Sequence, residues 1–343
     1  MDDQALRKRV REAPAFQPGI DERHIGDAPA AAAGSPQPLQ AGLRAVAETG
    51  FGEIWSRIRR LGEGEAAVGS AEPDLIHDLR IHLRRFCALS ELLPWHEGDH
   101  AAARTLRKEV AWAMQPLSLA RDWDVFLRET LPRLCEAEPD LDREAAVARA
   151  LARSALVHGE MYAGMHGERF QGVVRLLKAR MEDMRQAVAQ PPPPALYGKL
   201  RRVLKKWEAG IRQALARGPK QDARSQHRLR IEVKRLRYAG EAVLALGPSR
   251  RLERHVKALT ALQGALGGMQ DLRTASRLGQ EVCISLSTGK LARRSSAKAS
   301  QRLLREADRD WRAARRRFMR QPAFWAAADH GKLARRLSGQ APG

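Results

Sequence analysis

The chain has 343 residues, room for one large domain or two ordinary ones, and its 61 Lys and Arg against 40 Asp and Glu give a formal charge of +21. Three widely spaced cysteines exclude a disulfide framework and a cysteine-built zinc site, and they point to a reducing cytoplasm. No apolar run approaches the roughly 20 residues of a membrane span, and the polar start Met1–Arg11 lacks the apolar core of a signal peptide.

Residues 1–42 are rich in Pro, Ala, Gly and charge and are expected to form a disordered tail. From there apolar residues recur every three or four positions, which predicts helices near 43–61, 74–93, 101–137 and 141–188, the third bent or broken near Pro116 and Pro132. "QPPPPA" (Gln190–Ala195) stops any helix, because proline lacks the N–H and clashes with the preceding turn; residues 191–195 are expected as a linker. The helical pattern resumes near 196–217, 224–246, 250–287 and 293–318. No alternating strand pattern stands out. Short connections between helices predict antiparallel neighbours, hence an all-α chain of two up-and-down four-helix bundles, residues 43–190 and 196–337.

The two halves repeat each other. His77-Asp78-Leu79-Arg80-Ile81 matches His227-Arg228-Leu229-Arg230-Ile231 at an offset of 150. Lys108 stands 14 residues before Asp122, and Lys257 stands 14 before Asp271. "LSLARD" (Leu117–Asp122) matches "LGGMQD" (Leu266–Asp271). This collinear agreement predicts an internal duplication of one helical unit and not an array of short repeats.

At about 100° per residue, His77, Arg80 and Arg84 share one helix face, opposite the stripe Leu75, Leu79, Leu83 and Phe86. His227, Arg230, Lys234 and Arg237 share the corresponding face, opposite Leu229, Val233 and Leu236. Lys199 to Gly240 carries 14 Lys and Arg against 3 Asp and Glu. Most basic helices are solvated faces that mix signs to gain pairs one turn apart. Like charges one turn apart repel, so this concentration, repeated in both halves, predicts an anion-binding surface. With 7 Trp, 3 Tyr and 7 Phe the chain is poor in the aromatics that stack bases. That favours a baseless polyanion over nucleic acid.

Both "H-x-x-R-[hydrophobic]-x-[hydrophobic]-[RK]-R" helices, each followed by an "L-x-x-x-x-D" segment, together with "RDWDV" (Arg121–Val125) and "RLRYAGE" (Arg235–Glu241), resemble the CHAD domain, the conserved-histidine α-helical domain. The resemblance covers about residues 43–335. It implies two helical bundles related by approximate twofold symmetry, basic helices on a shared surface, and non-catalytic binding of inorganic polyphosphate, often at polyphosphate granules. Carried over by position, the polyphosphate contacts are His77, Arg80, Arg84, His227, Arg230 and Lys234, with Lys108, Lys257 and Arg237 added. Lys199, Arg202, Lys205 and Lys206 form a neighbouring basic stretch. Asp122 and Asp271 are expected to anchor a basic side chain or cap a turn and not to touch the anion, and Arg85 and Arg235, about 80° round the wheel, to pair with acids or sit at the edge. Asp78 against Arg228 and Cys87 against Arg237 leave the second copy more basic, so the site is expected to lean toward that half.

Other signatures do not hold up. "HEGDH" (His96–His100) satisfies the zinc-protease pattern, but it contains Gly98, follows Pro94 and falls where the repeat places a connection and not a helix. "GEGEA" (Gly62–Ala66) lacks the lysine and strand of a triphosphate-tunnel enzyme. His158 and His166 read as structural. No catalytic residue, metal or cofactor is assigned. The rivals are a nucleic-acid-binding module, a metal-dependent phosphohydrolase and a scaffold that docks an acidic protein.

Overall fold

Helix follows helix along the chain. A computed structural model describes residues 39–63, 73–92, 100–137, 142–189, 196–217, 222–246, 249–283 and 292–326, and no strand occurs among them. The helices are α1 (Leu39–Glu63), α2 (Pro73–Leu92), α3 (His100–Val125), α4 (Leu131–Ala137), α5 (Arg143–His166), α6 (Glu168–Ala189), α7 (Leu196–Ala216), α8 (Ala223–Leu246), α9 (Arg250–Cys283) and α10 (Ala292–Arg320). The Pro-rich linker at 191–195 and His96 to Asp99 of the "HEGDH" motif lie outside the described residues, as does the expected tail up to residue 38; α1 begins at Leu39, four residues inside that tail's expected span.

Two local features depart from the expected helices. The segment expected as one helix over 141–188 is two, parted at Gly167, whose extended ψ of 153° ends α5 while its N–H donates to Ala163 and Gly164 carbonyls. Glu168 then opens α6, an acid at the positive end of a helix dipole. Pro116 is carried inside α3 without a break. The interruption expected near Pro132 is found just before it, where Phe126–Thr130 widens into a π-turn and the Leu131 N–H reaches the Phe126 carbonyl. Pro132 cannot donate, and its ring crowds the carbonyl four residues back, so a widened turn relieves the clash. Trp123 packs edge-on against Phe126 there, centroids 5.6 Å apart.

The apolar stripes do what their period predicts. Leu75, Leu79, Leu83 and Phe86 of α2 are buried, as are Leu229, Val233 and Leu236 of α8. Burying each contributes about 1.5–3 kcal/mol relative to exposure. Helix α2 packs on α1, α3 and α8; α8 packs on α9, α7 and α1 as well. Asp222 starts α8, its Oδ1 accepting from the Ser225 N–H at 2.7 Å, which fixes where the basic helix begins. The two basic helices are thus direct neighbours.

The segment 321–326 after α10 folds back onto α7 and α9. Buried Glu208 of α7 accepts from the Phe324 N–H at 3.1 Å, the Trp325 N–H at 2.9 Å and Arg212 Nη2 at 2.8 Å. His255 of α9 lies between Phe318 and Phe324, only 2% exposed. Burial first, and then Arg212, pushes its pKa down to about 4, against the opposing pull of Glu208. A histidine whose folded pKa lies below the unfolded 6.5 binds more protons when unfolded. Its contribution is complete above about pH 6.5 and is lost as pH falls toward 4. The His255→Phe variant is therefore expected to lose less stability than the parent between pH 7 and 4.5 in parallel urea titrations; parallel losses in the two proteins would contradict this.

His158 and His166 are bonded within the fold. His158 Nδ1 lies 2.8 Å from the Ser154 carbonyl and Nε2 3.1 Å from Asp124, and His166 Nδ1 lies 2.8 Å from the Tyr162 carbonyl.

Candidate anion-binding seam

Because α2 and α8 bury their apolar stripes side by side, the cationic faces meet at one seam. Arg80 and Arg84 come from α2, Arg230 and Lys234 from α8. Arg80 lies within electrostatic reach of Arg84, Arg230 and Arg121. Lys234 faces Arg84, Arg230 and Arg80. Burial, followed by Arg84, lowers Arg80 from its usual range to about 9, still protonated at neutral pH. Burial and then these three arginines hold Lys234 well below the usual lysine range. Among the described residues none of the four forms an ion pair within 4.0 Å. The Nε atoms of Arg80 and Arg230 are buried without a hydrogen-bond acceptor.

Two carboxylates face this charge. Asp122 of α3 lies near Arg80, Arg230 and Arg277, and Asp271 of α9 near Arg230, Lys234 and Arg80; the two acids also repel each other. Neither forms an ion pair within 4.0 Å with Arg80, Arg84, Arg230 or Lys234, and together they leave the cluster in net positive excess. Burial raises the Asp122 carboxyl, and the arginines pull against that rise.

The histidines stand at the margin. His77 is half-buried, and burial, then Arg121 and Arg80, lower it to about 4. His227 is exposed, and it is lowered by desolvation and then by Arg230, Arg84 and Lys234. Both are therefore neutral at pH 7 in the free protein.

Salt bridges border the seam. Arg85 of α2 pairs with Glu241 of α8 at 3.8 Å, and Arg235 of α8 pairs with Glu91 of α2. Arg85 and Arg235 are 150 positions apart, and so are Glu91 and Glu241. The same contact is therefore made twice with the helices exchanged, as at a twofold interface. Arg85 also lies over Tyr238, and Arg235 over Trp207 at 3.7 Å.

Not every residue expected at the site joins the cluster. Arg237 turns aside: it pairs with Glu241, donates to Gln263 Oε1 at 2.8 Å and lies over Tyr238. Arg228 bonds Ser225 Oγ at 3.2 Å. With these two engaged elsewhere, each half supplies two of the four converging cations, and the expected lean toward the second half is not found there. Lys108 and Lys257 are exposed on α3 and α9. Fourteen helical residues put each about 21 Å along its helix from Asp122 or Asp271, so they stand apart from the cluster. Lys199, Arg202, Lys205 and Lys206 are exposed on α7, whose Leu200 and Leu204 are buried.

Two residues not expected from sequence lie at the cluster, Arg121 beside His77 and Arg80, and Arg277 beside Asp122. Arg121 carried a signal, adjacent to Asp122 in "RDWDV". Arg277 carried a signal too, since it stands six residues after Asp271 as Arg128 stands six after Asp122.

The sequence matches the CHAD domain family over residues 53–280, and the chain belongs to that family. No curated protein matched it. The fold is similar to the crystal structure of the CHAD domain from the plant Ricinus communis, at 24% identity over 86% of this chain and 96% of that one, with a TM-score of 0.60. It is also similar to PptA from Streptomyces chartreusis, at 18% identity over 82% and 98% of the two chains, with a TM-score of 0.55. No described helix is long and apolar enough to cross a membrane.

Proposed function

We propose that this protein binds inorganic polyphosphate, without cleaving it, in the seam between α2 and α8. The observation that carries the reading is the convergence of Arg80, Arg84, Arg230 and Lys234 with no ion-pair partner among the described residues, two of them with orphaned Nε donors. An assembly of like charges held half-buried is costly unless an anion completes it. Guanidinium forks suit phosphate oxygens, and a chain of phosphates supplies several at once. The reciprocal Arg85–Glu241 and Arg235–Glu91 pairs support a duplicated scaffold of two bundles that aligns equivalent ridges into one track. His77 and His227 border that track, and the α7 lysines offer an outer stretch. Binding in the cytoplasm at polyphosphate granules follows from the same reading, as does the absence of catalysis.

The test is a titration with polyphosphate of defined length at several salt concentrations. If four phosphates are neutralised, log K against log salt has a slope of about −2.8, using the single-strand coefficient as a guide. Tighter binding of RNA or DNA of equal charge would favour the nucleic-acid reading. Phosphate release on adding divalent metal, abolished by His77→Ala, would favour a hydrolase.

A further inference from the structure

Beyond residue 280, where the family match ends, α10 carries a second cationic feature. Arg305, Arg309, Arg312, Arg316 and Arg320 recur every three or four residues and fall within about 80° of one another on the helical wheel. All five are exposed. The row is about 22 Å long at 1.5 Å per residue. Only Arg312 is paired, with Asp308 at 2.6 Å; among the described residues the other four have no ion-pair partner. The opposite face carries Trp311, Ala314 and Phe318, all buried, and α10 packs on α9 and α7.

We propose that this arginine row is a second binding surface, separate from the α2–α8 seam, for the phosphate backbone of double-stranded nucleic acid, read without regard to base sequence. Three observations select that partner. Between residues 305 and 320 the apolar residues Trp311, Ala314 and Phe318 are consumed by the core and Met319 is the one large apolar side chain exposed, so this stretch has no apolar face to insert into a lipid surface. Its aromatics are buried, so it offers no platform for unpaired bases. The row is straight and mounted on a packed helix, which matches the fixed phosphate rows of a stiff duplex; a flexible chain would lose conformational freedom to lie along it. A 22 Å row spans roughly six base-pair steps at 3.4 Å each.

The experiment uses the full chain and a fluorescent 20-base-pair duplex of mixed sequence, read by anisotropy. Reversing two charges, Arg309→Glu with Arg316→Glu, should weaken duplex binding at least about tenfold. It should leave polyphosphate affinity within about twofold. The conservative pair Arg309→Lys with Arg316→Lys should keep duplex binding, and matched thermal melts show that all variants fold. Arg80→Ala with Arg230→Ala should do the reverse, sparing duplex binding. Failure of this proposal therefore leaves the seam reading standing, and failure of the seam reading leaves this one standing. Duplex binding unchanged by the charge reversal overturns the proposal. So does its loss through the seam variant instead, and so does binding of phosphatidylserine vesicles or single strands that exceeds duplex binding and depends on the same two arginines.

Discussion

Replacing Arg80 and Arg230 together by alanine is expected to weaken polyphosphate binding by about a hundredfold or more. Each removes a charge-assisted donor set worth about 1.5–3 kcal/mol. The slope of log K against log salt should become shallower by about 1.4 as two phosphate contacts disappear. Changing Lys108 and Lys257, which stand about four turns from the cluster, should have a far smaller effect. The physics also predicts a change in the opposite sense. In the free protein these cations repel one another and have no ion-pair partner among the described residues, so removing one relieves repulsion. Lys234→Met, which keeps an unbranched apolar stem, should raise the stability of the ligand-free protein by about 1 kcal/mol while weakening binding. Thermal melts with and without polyphosphate read both effects. A variant that binds weakly and is also less stable would show that Lys234 serves packing and not the anion.

The second large effect concerns the clasp on the C-terminal segment. Glu208→Ala removes one carboxylate that accepts from two backbone N–H groups and from Arg212. Losing one partner of a buried charged network costs about 3–5 kcal/mol. Arg212 would remain over the Phe318 ring, 5.0 Å from its centroid, without its carboxylate. Global unfolding in urea should report the loss, and amide exchange should rise at Phe324 and Trp325 before it rises in α8. Glu208→Gln, with one acceptor oxygen left, should fall between the two proteins. A loss under about 1 kcal/mol with unchanged exchange would mean that the segment is held by His255, Phe318 and Phe324 stacking alone.

The basic helices were legible because both signals share one period. Apolar residues at three- and four-residue spacing set the buried faces of α2 and α8, and the cations fall opposite by the same geometry. That the two ridges meet was not legible from periodicity, since each helix could have faced a different side; it depends on α2 packing against α8. Repetition misled for Lys108 and Lys257, because matching positions in two copies establish equivalence and not proximity. Arg237 shares the wheel face of Arg230, but Glu241 lies one turn on and captures it. Glu208 was hidden in a run of lysines and arginines, where one acid reads as charge balance. Its role depends on a segment more than a hundred residues away. The break at Gly167 had a signal in the Gly164–Gly167 spacing, weaker than the apolar period running through it.

The most direct measurement is the structure of the protein bound to polyphosphate. Phosphate density lying along the α2–α8 seam, with oxygens in hydrogen-bond reach of Arg80, Arg84 and Arg230, is the predicted result. Density confined to the α7 lysines or the α10 arginines, with the seam vacant, would contradict it.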